Sequence, residues 1–324
     1  MAVVDMPLDK LKEYNGSSPC PADFDSFWDN ALTQMKKIQP DVAIKEADFK
    51  APGVKCYNMF FTGADGARIH AKLLKPAVIK TPAPALIEFH GYTGHSGDWT
   101  TKLAYAANGF IVASLDVRGQ AGLSQDTTCV DGYTYSGQII RGIKEGPEKL
   151  FFRNVFLDTA QLAGLVLDMP DVDKARVAAK GGSQGGALTI VCAALEPRVK
   201  CAVSYFPFLS DYKRVWQLDL GTMAYNEIKE YIRRIDPRHE DIDTFFNTLS
   251  YIDIQNLAKR IKAETLVFLT LRDDICPPST QFAVFNKITA PKVAKIYPDH
   301  GHEGLPGADD IAFEFICNKL GLIN

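Results

Sequence analysis

Residues 181–186 read Gly-Gly-Ser-Gln-Gly-Gly, and no other stretch of the chain restricts its possible folds as strongly. Gly181, Ser183 and Gly185 satisfy the pattern G-x-S-x-G. Ahead of them, Arg176 to Lys180 is short, apolar and strand-like. Behind them, Ala187 to Leu195 repeats small and apolar residues at helical spacing with no proline or glycine. A strand, a turn too tight for side chains and a helix together lift a hydroxyl above the edge of a sheet. The helix then begins beneath that hydroxyl, where its unpaired N–H groups and positive dipole end favour an oxyanion, and the amide of Gln184 is placed to donate to it. A glycine-rich turn of this kind also occurs in α/β folds without any chemistry, so the rest of the chain must supply partners.

The surrounding pattern predicts strand–helix alternation. Ala85–Phe89, Phe110–Asp116, Val199–Tyr205, Thr265–Leu271 and Lys292–Tyr297 read as short buried strands. Trp99–Asn108, Phe151–Met169, Asp253–Arg260, Ser279–Ile288 and Ala308–Leu320 read as helices, the second of them strongly amphipathic. Such alternation implies a mostly parallel sheet covered on both faces. Val54 to Pro76, turning around Ala64-Asp65-Gly66, reads as a β-hairpin. Residues 1–50 form a polar, partly helical arm whose helix over Asp23–Lys37 sets Phe24, Phe27, Trp28 and Leu32 near one face. Residues 117–150 are a long loop of the kind that lines sites. Residues 207–248, rich in charge and aromatics with helical spacing over Asn226–Ile235, read as an inserted helical cap. At 324 residues with no evident linker, the expectation is one α/β domain over residues 1–324.

A serine hydroxyl needs an adjacent base, usually a histidine oriented by a carboxylate. Ligands of a parallel sheet collect beyond the carboxyl ends of its strands. There the chain places Arg272-Asp273-Asp274 after one late strand and Asp299-His300-Gly301-His302-Glu303 after the next. The order serine, acid, histidine is that of α/β-hydrolases. Position alone leaves Asp273 and Asp274 open as the acid, and His300 and His302 open as the base. Upstream, His90-Gly91-Tyr92-Thr93-Gly94 follows an early strand, where such folds supply the second oxyanion donor, here assigned to the Tyr92 backbone N–H.

Arg118-Gly119-Gln120, the elbow at 181–186, Asp273 with Cys276-Pro277-Pro278-Ser279-Thr280 behind it, and His302-Glu303 resemble the carbohydrate esterase family of acetyl xylan esterases and cephalosporin C deacetylases. The resemblance extends to Pro21-Ala22-Asp23-Phe24-Asp25-Ser26-Phe27-Trp28 and to Leu249-Ser250-Tyr251-Ile252-Asp253, and so spans nearly the whole chain. It implies an α/β-hydrolase fold with Ser183 as nucleophile, Asp273 as acid, His302 as base, and backbone oxyanion donors at Tyr92 and Gln184. It also implies release of acetyl groups from acetylated xylo-oligosaccharides, other small acetyl esters and cephalosporin C through an acetyl-enzyme, and assembly as a homohexamer. Glu303 and the Arg118–Gln120 turn become structural markers that fix the histidine loop and the long loop. Around Tyr133-Thr134-Tyr135 the chain departs from the family, which often has a tryptophan there.

Composition narrows the partners. A formal charge of −3 and a pI near 6.1, with signs interspersed, argue against nucleic acid or an anionic membrane and favour a small neutral or weakly charged substrate. The N-terminal residues have no apolar core of signal-peptide length, and no apolar run approaches a membrane span, so a cytoplasmic location is expected. Seven scattered cysteines without a C-x-x-C pair suggest reduced thiols, Cys192 and Cys201 being core residues. The histidines lack zinc-enzyme spacing, so neither a metal nor a cofactor is expected. The rivals are the same fold acting on longer acyl chains or peptides, and a binding protein with a vestigial site.

Overall fold

A computed structural model of the chain describes residues 4–132, 137–220 and 225–323. Nine strands form one sheet: β1 (Ala43–Glu46), β2 (Val54–Thr62), β3 (Arg68–Pro76), β4 (Ala83–Phe89), β5 (Ile111–Leu115), β6 (Val172–Gly182), β7 (Cys201–Tyr205), β8 (Glu264–Thr270) and β9 (Lys292–Tyr297), in the spatial order β1-β2-β3-β5-β4-β6-β7-β8-β9. From β1 to β5 the neighbours are antiparallel; from β5 to β9 they are parallel. The helices are α1 (Leu8–Glu13), α2 (Phe24–Met35), α3 (Leu103–Ala107), α4 (Phe151–Leu167), α5 (Gln184–Leu195), α6 (Tyr212–Gln217), α7 (Asn226–Ile235), α8 (Ile242–Leu249), α9 (Ile254–Leu257), α10 (Pro278–Lys287) and α11 (Ala308–Lys319). This is the α/β-hydrolase fold.

The period of two along each strand divides the core into two layers. Ala85, Ile87 and Phe89 of β4, Val177 and Ala179 of β6, and Val267 and Leu269 of β8 face the layer that holds α4 and α5. Leu86, Ala178, Leu266 and Phe268 point the other way, into the layer of α11. Side chains buried on both faces are what turn the parallel strands into nearly continuous apolar runs.

The hairpin β2–β3 turns through Asp65 (φ 51°) and Gly66 (φ 74°), both left-handed as a tight hairpin connection requires. Strand β1 was not expected. Its four residues are mostly exposed at the sheet edge, so Ala-Ile-Lys-Glu carries no clear alternation to read. The helix predicted from Trp99 starts as a 3₁₀ turn over Trp99–Lys102 before α3. Helix α4 corrects the amphipathic reading. Arg153, Asn154, Asp158 and Gln161 are buried along with its apolar residues, because α2 and α5 pack on it and the segment around Ala64 closes over it. Between β7 and β8 the chain inserts α6, α7 and α8, the region read as a cap.

The arm packs onto this frame. Trp28 is fully buried, donates its indole N–H to the Tyr251 carbonyl at 3.0 Å and stacks on Phe156 at 5.8 Å. Nearer the start, Asp5 accepts the Ser279 N–H at 2.7 Å and pairs with Arg214 at 2.6 Å, so an arm carboxylate sits at the N-terminus of α10.

Candidate active site

Strand β6 ends at Gly182, α5 starts at Gln184, and Ser183 between them takes φ 57°, ψ −119°, a conformation that L-residues rarely adopt. Three backbone hydrogen bonds hold it there: its N–H to the Tyr205 carbonyl (3.0 Å), and its carbonyl to the N–H groups of Ala187 (3.0 Å) and Phe208 (3.1 Å). The glycines on either side are forced by contact. A Cβ on Gly181 would lie 2.5 Å from the Gly185 carbonyl, and one on Gly185 2.1 Å from the Phe89 carbonyl oxygen.

His302 and Asp273 arrive from the loops after β9 and β8. His302 Nδ1 lies 2.9 Å from Asp273 Oδ2, and Nε2 lies 2.9 Å from the Ser183 hydroxyl. A carboxylate only accepts, so Nδ1 carries the proton and Nε2 is left to accept from the serine. Phe206 lies against the imidazole at 4.7 Å between ring centres. Asp273 is fully buried. Its Oδ1 accepts the N–H groups of Ile275 (2.9 Å) and Cys276 (2.7 Å), and its Oδ2 accepts Gln281 Nε2 (3.2 Å) and the Thr270 hydroxyl (3.4 Å) as well as the histidine. Asp274 is exposed, and His300 sets its ring edge-on to Tyr297. Glu303 accepts the Gly301 N–H at 3.1 Å within the histidine loop.

Gln184 is completely buried, and as the first residue of α5 its N–H has no acceptor inside the helix. Tyr92 lies in the turn closed by Gly94 N–H to the Gly91 carbonyl (3.1 Å), its ring packed between Phe152 and Phe208. That turn is anchored from below. His90 Nε2 accepts the Val117 N–H at 3.0 Å, the Gly94 carbonyl accepts from Ala121 at 3.1 Å, and Asp116 accepts the Ser96 N–H at 2.6 Å while pairing with the buried His70 at 2.6 Å. Arg118 forms a buried double hydrogen bond to Asp158 (2.7 and 2.9 Å) and reaches the Ala64 carbonyl at 2.8 Å. Tyr133, Thr134 and Tyr135 lie outside the described residues.

Gln281 and Thr270, which both donate to Asp273 Oδ2, had no signal that the sequence alone could supply. Gln281 lies in the helix that follows Cys276-Pro277-Pro278, and only the folding back of that helix brings its amide to Asp273. Glu227 is buried in α7, and burial pushes its carboxyl up to about 8 against the pull of the N–H groups of Ile139, Ile140 and Gln138.

An acid held by five donors, an imidazole with a fixed tautomer and a hydroxyl on a strained elbow are the parts of an acyl-transfer centre. The family model for acetyl xylan esterase (AXE1) matches residues 1–319. The chain belongs to the acetyl xylan esterase family. It is thus a carboxylic ester hydrolase by family. Acetyl xylan esterase 1 from Thermoanaerobacterium sp. JW/SL YS485 is 53% identical in sequence, with a TM-score of 0.95 over 97% of this chain and 99% of that one. The acetyl xylan esterase from Paenibacillus sp. R4 is 36% identical, with a TM-score of 0.92 over 96% and 99%. Acetyl esterase Axe7A from Xylanibacter ruminicola is 28% identical over 305 residues; the alignment covers 90% of this chain and 65% of that longer protein. The α/β hydrolase GrgF from Penicillium sp. sh18, at 17% identity and a TM-score of 0.55 over 82% of this chain and 99% of that one, shares the fold alone.

In this acetyl xylan esterase family member, ligand-type atoms of Asp273, Cys276 and His302 come within 4.8 Å of one another, the one such group among the described residues. Burial raises the Cys276 thiol well above its ordinary range, so it presents S–H rather than the thiolate a metal would need. All seven cysteines, each among the described residues, are free, and Cys192 and Cys201 are fully buried. No helix among the described residues is long and apolar enough to cross a membrane.

Proposed function

We propose that the protein is a serine esterase, a single α/β-hydrolase domain that removes acetyl groups from acetylated xylo-oligosaccharides and other small acetyl esters through an acetyl-enzyme. The observation that carries this reading is the unbroken hydrogen-bond chain from Ser183 through His302 to Asp273 in a chain that the family model covers from residue 1 to 319. Ser183 Oγ attacks the ester carbonyl as His302 Nε2 takes its proton, and Asp273 stabilises the imidazolium. The carbonyl oxygen becomes an oxyanion held by the backbone N–H groups of Gln184 and Tyr92. Collapse expels the sugar alkoxide, which takes the proton from His302. Water, deprotonated by His302, then attacks the acetyl-enzyme; on collapse Ser183 Oγ takes that proton back from His302, and the acid leaves as acetate with its remaining proton passed to solvent.

The acetyl ester of cephalosporin C is a second substrate of the same chemistry, and a homohexamer the assembly; both rest on the family resemblance. A reducing, cytoplasmic setting is supported by the free thiols. The test is p-nitrophenyl acetate turnover, with release of acetate from acetylated xylo-oligosaccharides and cephalosporin C. Ser183→Ala is expected to lose about 10⁴-fold or more in kcat and all labelling by a fluorophosphonate probe. A folded Ser183→Ala variant that still turns over would overturn the assignment. Faster turnover of octanoyl than of acetyl esters would overturn the acetyl preference, and a monomer by light scattering would remove the hexamer.

A further inference from the structure

Glu227, the second residue of α7, is fully buried, yet no step of the proposed chemistry uses it. Its Oε1 accepts the Ile139 N–H at 2.6 Å, and its Oε2 is buried with no hydrogen-bond partner among the described residues. The N–H groups of Gln138 and Ile140 face the same carboxyl. The loop closes tightly around it, since a Cβ on Gly137 would lie 2.3 Å from Oε1. Burying an acid in this way is costly unless the contact it makes is needed.

The contact leads inward to the elbow. Gln138, whose N–H faces Glu227, donates its side-chain amide to the Gly119 carbonyl and accepts Gln120 Nε2, both at 3.0 Å. Gln120 and Gln184 exchange two hydrogen bonds, Gln120 Nε2 to Gln184 Oε1 at 2.7 Å and Gln184 Nε2 to Gln120 Oε1 at 3.0 Å. Gln184 Nε2 also reaches the His90 carbonyl at 3.5 Å, beside the Tyr92 turn. Three glutamine amides thus connect a cap carboxyl to the residue whose N–H begins α5. A chain of amides that donate to and accept from one another holds its members in one arrangement.

We infer that Glu227 is a positioning residue for the oxyanion hole, acting through Gln138 and Gln120 to fix Gln184, so that the cap sets how well the site holds the oxyanion. This rests on the serine-esterase reading above. Glu227 touches no reacting atom; it fixes the loop whose glutamines brace the donor. A donor displaced by a fraction of an ångström loses transition-state stabilisation while ground-state binding of the ester barely changes.

The experiment measures kcat, KM and the affinity for a trifluoromethyl ketone, which forms an oxyanion adduct on the serine, in the full-length protein and in Glu227→Ala, Glu227→Gln and Gln120→Ala. Melting temperature is followed in parallel. Glu227→Ala is expected to lose between about 10- and 100-fold in kcat and in ketone affinity together, with KM within about threefold. Glu227→Gln keeps an oxygen for the Ile139 N–H and the same volume; it is expected to fold and to recover most of the ketone affinity. The double variant Glu227→Ala with Gln120→Ala should lose no more than the worse single variant, as members of one chain do. The inference is overturned if Glu227→Ala, or Glu227→Gln should the alanine variant fail to fold, lowers only the melting temperature and leaves ketone affinity at the parent value. It is equally overturned if the Glu227 and Gln120 losses simply add. If the unsubstituted protein neither hydrolyses acetyl esters nor binds the ketone, the esterase reading fails and takes this inference with it. A parent that does both beside an unaffected, folded Glu227 variant removes this inference alone.

Discussion

Gly185 lies directly over the end of β4, so close that a methyl on its Cα would sit 2.1 Å from the carbonyl oxygen of Phe89. Both partners are backbone, and neither can swing aside. Gly185→Ala must therefore push the first turn of α5 away from the sheet, carrying Gln184 with it. The expected result is a loss of about 10²-fold in kcat/KM and of about 1–3 kcal/mol in unfolding free energy. Gly182 is the control. Its nearest neighbours would be 3.6 Å from an added Cβ, so Gly182→Ala should stay within about 1 kcal/mol of the parent in a denaturant titration.

Asp273 accepts from two backbone N–H groups, the Thr270 hydroxyl, Gln281 and His302. Asp273→Asn places an NH₂ where one of these donors points, and it favours the wrong imidazole tautomer. Turnover of p-nitrophenyl acetate should fall about 10⁴-fold, the size seen when the carboxylate of a serine triad is replaced by its amide. Retention of more than a tenth of the activity in a folded variant would remove Asp273 from the mechanism.

The Arg118–Asp158 pair is almost entirely out of water, with side-chain exposures of 0% and 2%. Arg118→Met leaves a bare carboxylate in the core and should cost about 3–5 kcal/mol. Adding Asp158→Leu should recover part of that loss, because the unpaired charge is what costs most. Denaturant midpoints of the two single variants and the double variant decide this, and a double variant less stable than either single one would contradict it.

Asp253 is expected to make stability depend on pH. Burial, with the neighbouring Asp211 adding to it, raises its carboxyl from 3.8 to about 7, against the pull of Gln255, the Asp211 N–H and Lys287. The folded state therefore holds a proton that the unfolded chain gives up near pH 4. This contribution to stability is complete below that pH and is lost as the pH rises to 7 and beyond, with a slope of at most about 1.4 kcal/mol per pH unit. Asp253→Asn should flatten the melting temperature between pH 4 and 7; an unchanged slope would show that Asp253 is ionised throughout.

What could be read from the sequence follows from how local each signal is. The elbow, the parallel strands and the hairpin are written in neighbouring residues, by periodicity and by turn chemistry. Strand β1 has no such pattern because an edge strand exposes both faces. Helix α4 looked amphipathic because Arg153, Asn154, Asp158 and Gln161 are polar; their burial depends on partners such as Arg118 and Ala64, distant in the chain. At the site, residue order pointed to two loops but could not choose Asp273 over Asp274, since the difference is one of burial and donors. Gln281 and Glu227 were invisible for the same reason, since only the tertiary fold brings the first to Asp273 and the second to Ile139, while nothing local marks the Thr270 hydroxyl as a donor to Asp273 three residues on.

Asp5 adds a constraint in time. A ribosome that has just made this aspartate must add 274 more residues before the Ser279 N–H it will hold exists. The start of α10, and with it Gln281 behind Asp273, is braced by a residue made 274 positions earlier. Nascent chains can assemble the sheet progressively as its strands emerge, but the acid's support waits until Asp5 and Ser279, 274 positions apart, can meet.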